Sequence, residues 1–192
     1  MKVLNDAMAS LLEKRIGVIS KIAESKHGVG KTAMMKFIFL LQQVYKMPLG
    51  YDFEIYTYGP YASEVMSDIN LAENRDYLDI KEQNYHNGIY GYSINPTKKT
   101  HQAISALDIN FLEQYEPAIE EIITLFGDKT AKELELLTTI VYMYSLYQSN
   151  KWKISMAEIA NNVHQIKPHF SLAEITTEYK DLKKIKIFDR IN

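Results

Sequence analysis

Fifteen residues from Lys31 to Tyr45, KTAMMKFIFLLQQVY, constrain the fold more than any other stretch. Ten of them are apolar or aromatic, and they fall on nearly every side of a helical wheel. A helix of that kind is covered from several directions. It is too short, and too interrupted by Lys36, Gln42 and Gln43, to span a bilayer, which takes about 20 apolar residues. The stretch therefore predicts the central helix of a globular body, with the other elements built around it.

The rest of the chain agrees with that class. At 46% hydrophobic and 24% charged, with 8 Gly and 5 Pro, it is neither disordered throughout nor fibrous. Cysteine is absent, which excludes disulfides and thiolate metal sites and suits a reducing cytoplasm. The opening MKVLNDAMASLLEKR carries charges inside its apolar stretch, unlike a secretory signal. Charge is unevenly spread: net +3 over 1–60, −3 over 61–110, −5 over 111–150 and +3 over 151–192. That is weaker than the basic face of a free-standing nucleic-acid binder, and the acidic middle suits a basic partner.

Apolar spacing of three and four predicts a helix over Leu4–Glu24, closed at Gly28. Phe53–Tyr58 reads as a short strand. Gly59-Pro60 reads as the cap and first position of a third helix, Tyr61–Asn74. Leu78–Ile94 reads as a β-hairpin turning at His86-Asn87-Gly88. Three helices followed by a hairpin predict a winged-helix-like half over 1–95, with 53–58 as an added third strand of the wing sheet. Asn95-Pro96 predicts a helix running to about Ala106. Pro117 should kink or split a helix over Asp108–Phe126. Thr130–Glu133, Ser155–Glu158 and Ser171–Glu174 each have the capping-box pattern. Residues 96–192 are therefore read as a helical region packed on the first half, with 156–163 and 172–184 a possible second helix-turn-helix. The expected fold class is mainly α.

Few motifs carry chemistry. Ser25–Thr32 ends in Gly30-Lys31-Thr32 like a phosphate-binding loop. However, Ser25 replaces the first glycine and the preceding segment is helical, so a plain helix–helix turn is favoured. His27, His86, His101, His164 and His169 show no zinc-protease spacing. No Gly-x-Ser-x-Gly elbow is present. Glu113, Glu116, Glu120 and Glu121 form an acidic run, read first as a solvated face and second as a partner surface. Tyr56, Tyr58, Tyr61, Tyr85, Tyr90 and Tyr92 suit interfaces as well as cores.

KTAMMKFIFLLQ followed by FEIYTYGPYASEV resembles the YwgA-like proteins and the related SocA/Panacea antitoxin-type domain of bacteria, archaea and phages. Lys31, Lys36, Phe39 and Leu40 match the first part of that pattern, and Tyr58, Gly59, Pro60, Tyr61 and Ala62 the second. Lys167–Ile175, KPHFSLAEI, is similar to the C-terminal part of the YwgA-like group. The resemblance covers about residues 11–80 and this late piece. It implies a winged-helix-like fold, no catalytic residues, and a role in phage defence or toxin neutralisation through a protein partner.

The expected function is accordingly a non-enzymatic, cytoplasmic protein-interaction module without cofactor or metal. Its partner, a toxin or defence protein, would meet Tyr56, Tyr58, Pro60 and Tyr61 or the acidic residues Glu113, Glu116 and Glu120. The first alternative is a winged-helix DNA-binding regulator, with Lys180, Lys183, Lys184 and Lys186 as nucleic-acid contacts. The second alternative is nucleotide binding at Gly30-Lys31-Thr32. No membrane association is expected, and a homo-oligomer is compatible with the pattern.

Overall fold

A computed structural model describes residues 2–85 and 89–191. Two helices, α1 (Lys2–Ser25) and α2 (Lys31–Gln43), lead into two short strands, β1 (Glu54–Tyr56) and β2 (Gly59–Tyr61). Helix α3 (Ser63–Asn74) precedes a longer hairpin, β3 (Leu78–Tyr85) and β4 (Ile89–Pro96). Five helices complete the chain: α4 (Thr100–Ser105), α5 (Ile109–Phe126), α6 (Ala131–Ser149), α7 (Met156–Ile166) and α8 (Leu172–Lys184). A single 3₁₀ turn, Phe188–Arg190, follows. The fold is mainly α.

Helix α2 is the centre of the packing. Met34 to Leu41 are all buried, and α2 meets α1, α3, α5, α6, β2 and β4. That explains why it is apolar all round. The same core takes Leu134, Leu137 and Ile140 from α6, Val163 from α7, and Ile175 and Leu182 from α8. Side chains from 1–95 and 96–192 thus share one hydrophobic cluster.

Helix starts follow local chemistry where the caps form. Thr130 and Glu133 make reciprocal bonds at the start of α6, as do Ser171 and Glu174 at the start of α8. Ser155 is the N-cap of α7, but its hydroxyl caps no backbone N–H, so the expected third box is absent. Gly28 takes φ +74 between α1 and α2, as a helix-terminating glycine does.

Several expectations need correction. The strand at 53–58 does not join the wing sheet: among the described residues β1 pairs with β2, and β3 pairs with β4 in a separate two-stranded ladder. Gly59-Pro60-Tyr61 is strand rather than helix start, and α3 begins at Ser63 with Ala62 as its N-cap. Asn95 and Pro96 end β4, so the next helix begins only at Thr100. Of the two outcomes expected at Pro117, a kink or a split, the split does not occur: α5 runs through it as one segment. The expected hairpin turn, His86-Asn87-Gly88, lies outside the described residues.

Candidate functional site

The β1–β2 hairpin lies on α6 and is held from beneath by buried side chains. Its register, Glu54↔Tyr61, Ile55↔Pro60 and Tyr56↔Gly59, leaves Thr57 and Tyr58 as a two-residue turn. Gly59 closes that turn at φ +85, a conformation side chains rarely adopt. A Cβ there would come 3.1 Å from Thr139 Oγ1 and 3.3 Å from the Glu135 carbonyl oxygen. The hairpin therefore lies directly on α6, and glycine is required twice over, for space and for φ. On α6, the Thr138 and Thr139 hydroxyls fold back to donate to the Leu134 and Glu135 carbonyls, which satisfies them without reaching into the hairpin.

Two buried lysines fasten the corner from below. Lys36, in the middle of α2 and 2% exposed, donates from Nζ to the Pro60 carbonyl at 2.7 Å. Lys167, beyond α7 and 4% exposed, donates to the Tyr56 carbonyl at 2.8 Å and also to the Thr57 carbonyl. Glu135 from α6 faces Lys167, Oε1 to Nζ, at 3.1 Å. The same Oε1 lies 3.4 Å from His169 Nε2. Neither contact has hydrogen-bond alignment, so Oε1 is held by charge, at ion-pair distance from the Lys167 ammonium. Lys36 also feels the Glu135 charge, without pairing with it directly. Burial pushes Lys36 down to about 8; Glu135 opposes that shift and Lys167 adds to it.

Above this base the tyrosines point outward. Tyr56 and Tyr58 are about two-thirds exposed, at 67% and 68%, and Tyr61 is 38% exposed. The Tyr56 and Tyr61 rings stand 5.7 Å apart. Pro60, in contrast, is buried, so it shapes the corner and presents no surface of its own. A recess of about 700 Å³ opens between this turn and the α7–α8 connection, with Glu135 and Lys167 in its lining and Ile55 and Ile166 in its walls.

The other expected site residues lie elsewhere. Glu113 and Glu120 are exposed on α5, but Glu116 is paired with Lys21 at 2.7 Å. Neighbouring Glu121 binds Arg190 through two 2.8 Å hydrogen bonds, and these hold its carboxyl below the usual range. Helix α5 packs on α1 and α2, whereas the tyrosine hairpin is held by α2 and α6, so the acidic run and the corner are separate surfaces. Lys180, Lys183, Lys184 and Lys186 are all exposed at the end of α8. Tyr90 and Tyr92 are exposed on β4, and Lys31 Nζ sits 4.2 Å from the Tyr92 ring centroid. The GVGKT bend is stitched to that strand: the Gly28 N–H donates to the Ile94 carbonyl and the Ile94 N–H to that of Val29. A helix, α1, precedes the bend rather than a strand.

Glu135 and His169 were not singled out by sequence reasoning as site residues, and Lys36 and Lys167 only as parts of a resemblance. The available signal was charge out of place: Lys36 interrupts the apolar run Ala33–Leu41, and Glu135 sits between Leu134 and Leu136. Among the described residues no helix is long and apolar enough to cross a membrane. No family model matches the chain, and no curated protein matches it.

Proposed function

We propose that this chain is a non-enzymatic protein-interaction module of antitoxin or phage-defence type, working in the cytoplasm and holding a protein partner at the Tyr56–Tyr61 corner. One observation carries the reading: exposed Tyr56 and Tyr58 stand on a turn whose carbonyls are held by Lys167, with Pro60 held by Lys36. Tyrosine gives much contact area for little side-chain entropy, and it is enriched at binding hot spots. A turn fixed in advance loses less freedom on binding. The resemblance of the YGPY element to antitoxin-type domains supplies the kind of partner, a toxin or defence protein.

The test is affinity capture from the native host with wild type and a Tyr56→Ala/Tyr58→Ala variant as parallel baits. The reading expects a stoichiometric protein retained by wild type and lost from the variant. Equal retention by both, or no stoichiometric partner, refutes it.

Exposed Lys180, Lys183, Lys184 and Lys186 favour a second reading, DNA binding by a winged-helix-like body through the end of α8. Helix α3 is a poor groove helix, since it carries Glu64, Asp68 and Glu73 and no Lys or Arg. Retardation of duplex DNA should weaken steeply with salt and vanish when the four lysines become glutamine. Absence of any shift at low salt removes this reading.

A further inference from the structure

Proline at the centre of β2 leaves its partner strand with an unused edge. Pro60 has no N–H, so it cannot exchange hydrogen bonds with Ile55, the residue opposite it. Ile55↔Pro60 is therefore the non-hydrogen-bonded pair of the hairpin, set between the bonded pairs Glu54↔Tyr61 and Tyr56↔Gly59. In such a pair the backbone groups point away from the partner strand. The Pro60 carbonyl points inward and is taken by Lys36. The Ile55 N–H and C=O point the opposite way and meet no partner among the described residues. Strand β2 packs on α2 and α6, so β1 is the outer strand, and among the described residues no third strand joins it.

The recess follows this edge. Its lining takes Ile55, Tyr56 and Thr57 from the β1 side and nothing from β2, with Ile166 and His169 across from them. A chain laid along β1 would put the side chain of the residue opposite Ile55 on the same face as Ile55 itself. That face is apolar, with Ile55 and Ile166 in the walls. Glu54 and Tyr56 point to the other face and are exposed. Glu54 has no ion pair among the described residues, so a cation placed opposite it gains a cross-strand partner. A second copy of the hairpin does not suit this edge. The segment Ile166–His169 beside β1 in each copy would stand between the two strands, whereas a single extended chain fits inside it.

We infer that the free edge of β1 takes an extended segment of the protein partner as an added antiparallel strand, with an apolar residue paired to Ile55 and a Lys or Arg opposite Glu54. The inference rests on the reading of the corner as a protein-binding surface and names the part of the partner that it grips. Backbone pairing supplies the hold, and the alternate side chains supply the selection.

The test titrates the full ¹⁵N-labelled chain with a capped pentapeptide, N-acetyl-Thr-Thr-Val-Lys-Thr-amide, whose valine falls opposite Ile55 and whose lysine falls opposite Glu54. One control carries N-methylvaline at the centre, which removes the N–H that pairs with the Ile55 carbonyl. The other carries glutamate in place of lysine. The expected result is saturable downfield movement of the Ile55 amide proton and slower exchange of that amide with solvent. The N-methyl control should bind about tenfold more weakly and the glutamate control about threefold more weakly. Equal or tighter binding of either control overturns the inference, and so does the absence of saturable movement. Movement of the Ile55 amide with protein concentration alone identifies a second copy as the occupant and overturns it too. Each of these failures leaves the capture experiment with the tyrosine variant unaffected, so loss of the edge and loss of the corner are told apart.

Discussion

Replacing Lys167 by methionine tests the base of the corner directly. The ammonium is almost wholly buried, faces Glu135 at 3.1 Å and holds two carbonyls of the turn. Methionine keeps most of the length and the apolar stem but removes the charge and all three donors. Removing one partner of a buried pair costs about 3–5 kcal/mol, because the other charge is left without compensation. Tyr56 and Thr57 are exposed, so water can serve their freed carbonyls and little is added there. Lys36 remains within electrostatic reach of Glu135, which favours the lower end, about 3 kcal/mol. For a chain of 192 residues that lowers Tm by about 6–12 °C.

Urea unfolding followed by far-ultraviolet circular dichroism measures this loss. The double variant Lys167→Met/Glu135→Leu separates the charge from the shape. If the orphaned carboxylate is the main cost, removing it should recover at least half of the loss, since apolar replacements of buried pairs are often neutral or better. The coupling between the two sites should be about 2 kcal/mol, within the range for contacting residues. A Lys167→Met loss below about 1 kcal/mol refutes the reasoning, and so do strictly additive costs in the double variant.

Other substitutions follow from the same geometry. Gly59→Ala places a methyl group at φ +85 against Thr139 and the Glu135 carbonyl, and should cost about 1–3 kcal/mol in urea unfolding. Tyr51→Phe removes the 2.7 Å hydrogen bond from the buried Tyr51 hydroxyl to Asp68, a loss of about 1.5–3 kcal/mol read in the same way. Lys36 has a folded-state pKa of about 8, below its ordinary 10.5, so the unfolded chain binds more protons between those values and stability rises with pH there. Burial of its charge costs up to about 3 kcal/mol below pH 8, relieved as pH climbs. Lys36→Met should therefore flatten the stability profile from pH 8 to 10 relative to wild type, and an unchanged slope contradicts the assignment.

What could be read from the chain beforehand divides along physical lines. Helix α2 and the boxes at Thr130 and Ser171 were legible because their determinants lie within one or two turns of the residues they control. The misreadings occurred where a local rule met a stronger tertiary partner. Gly59-Pro60 satisfies the rule for a helix start, yet pairing with Ile55 and Tyr56 and contact with α6 hold it as strand. Asn95-Pro96 satisfies the same rule, yet pairing with Asp79 and Leu78 extends the hairpin through it. Proline is tolerated at such a strand end, where no ladder N–H is needed. Ser155 has the cap sequence and extended backbone without the hydrogen bond.

The anchoring of the candidate site was illegible for a different reason. Its three buried charges come from α2, α6 and the turn after α7, and Lys167 reaches carbonyls about 110 residues earlier in the chain. No spacing rule spans that distance. What the sequence did show was Lys36 and Glu135 as charges in apolar surroundings, and a buried charge must find a partner or shift its pKa. Lys36 inside a buried helix and Glu135 among leucines each need a partner: Lys36 finds the Pro60 carbonyl and Glu135 finds Lys167. Lys167 supplies what a carboxylate cannot, N–H donors for the carbonyls of the turn. The corner is thus aromatic on its outer side and fastened by two buried lysines on its inner side.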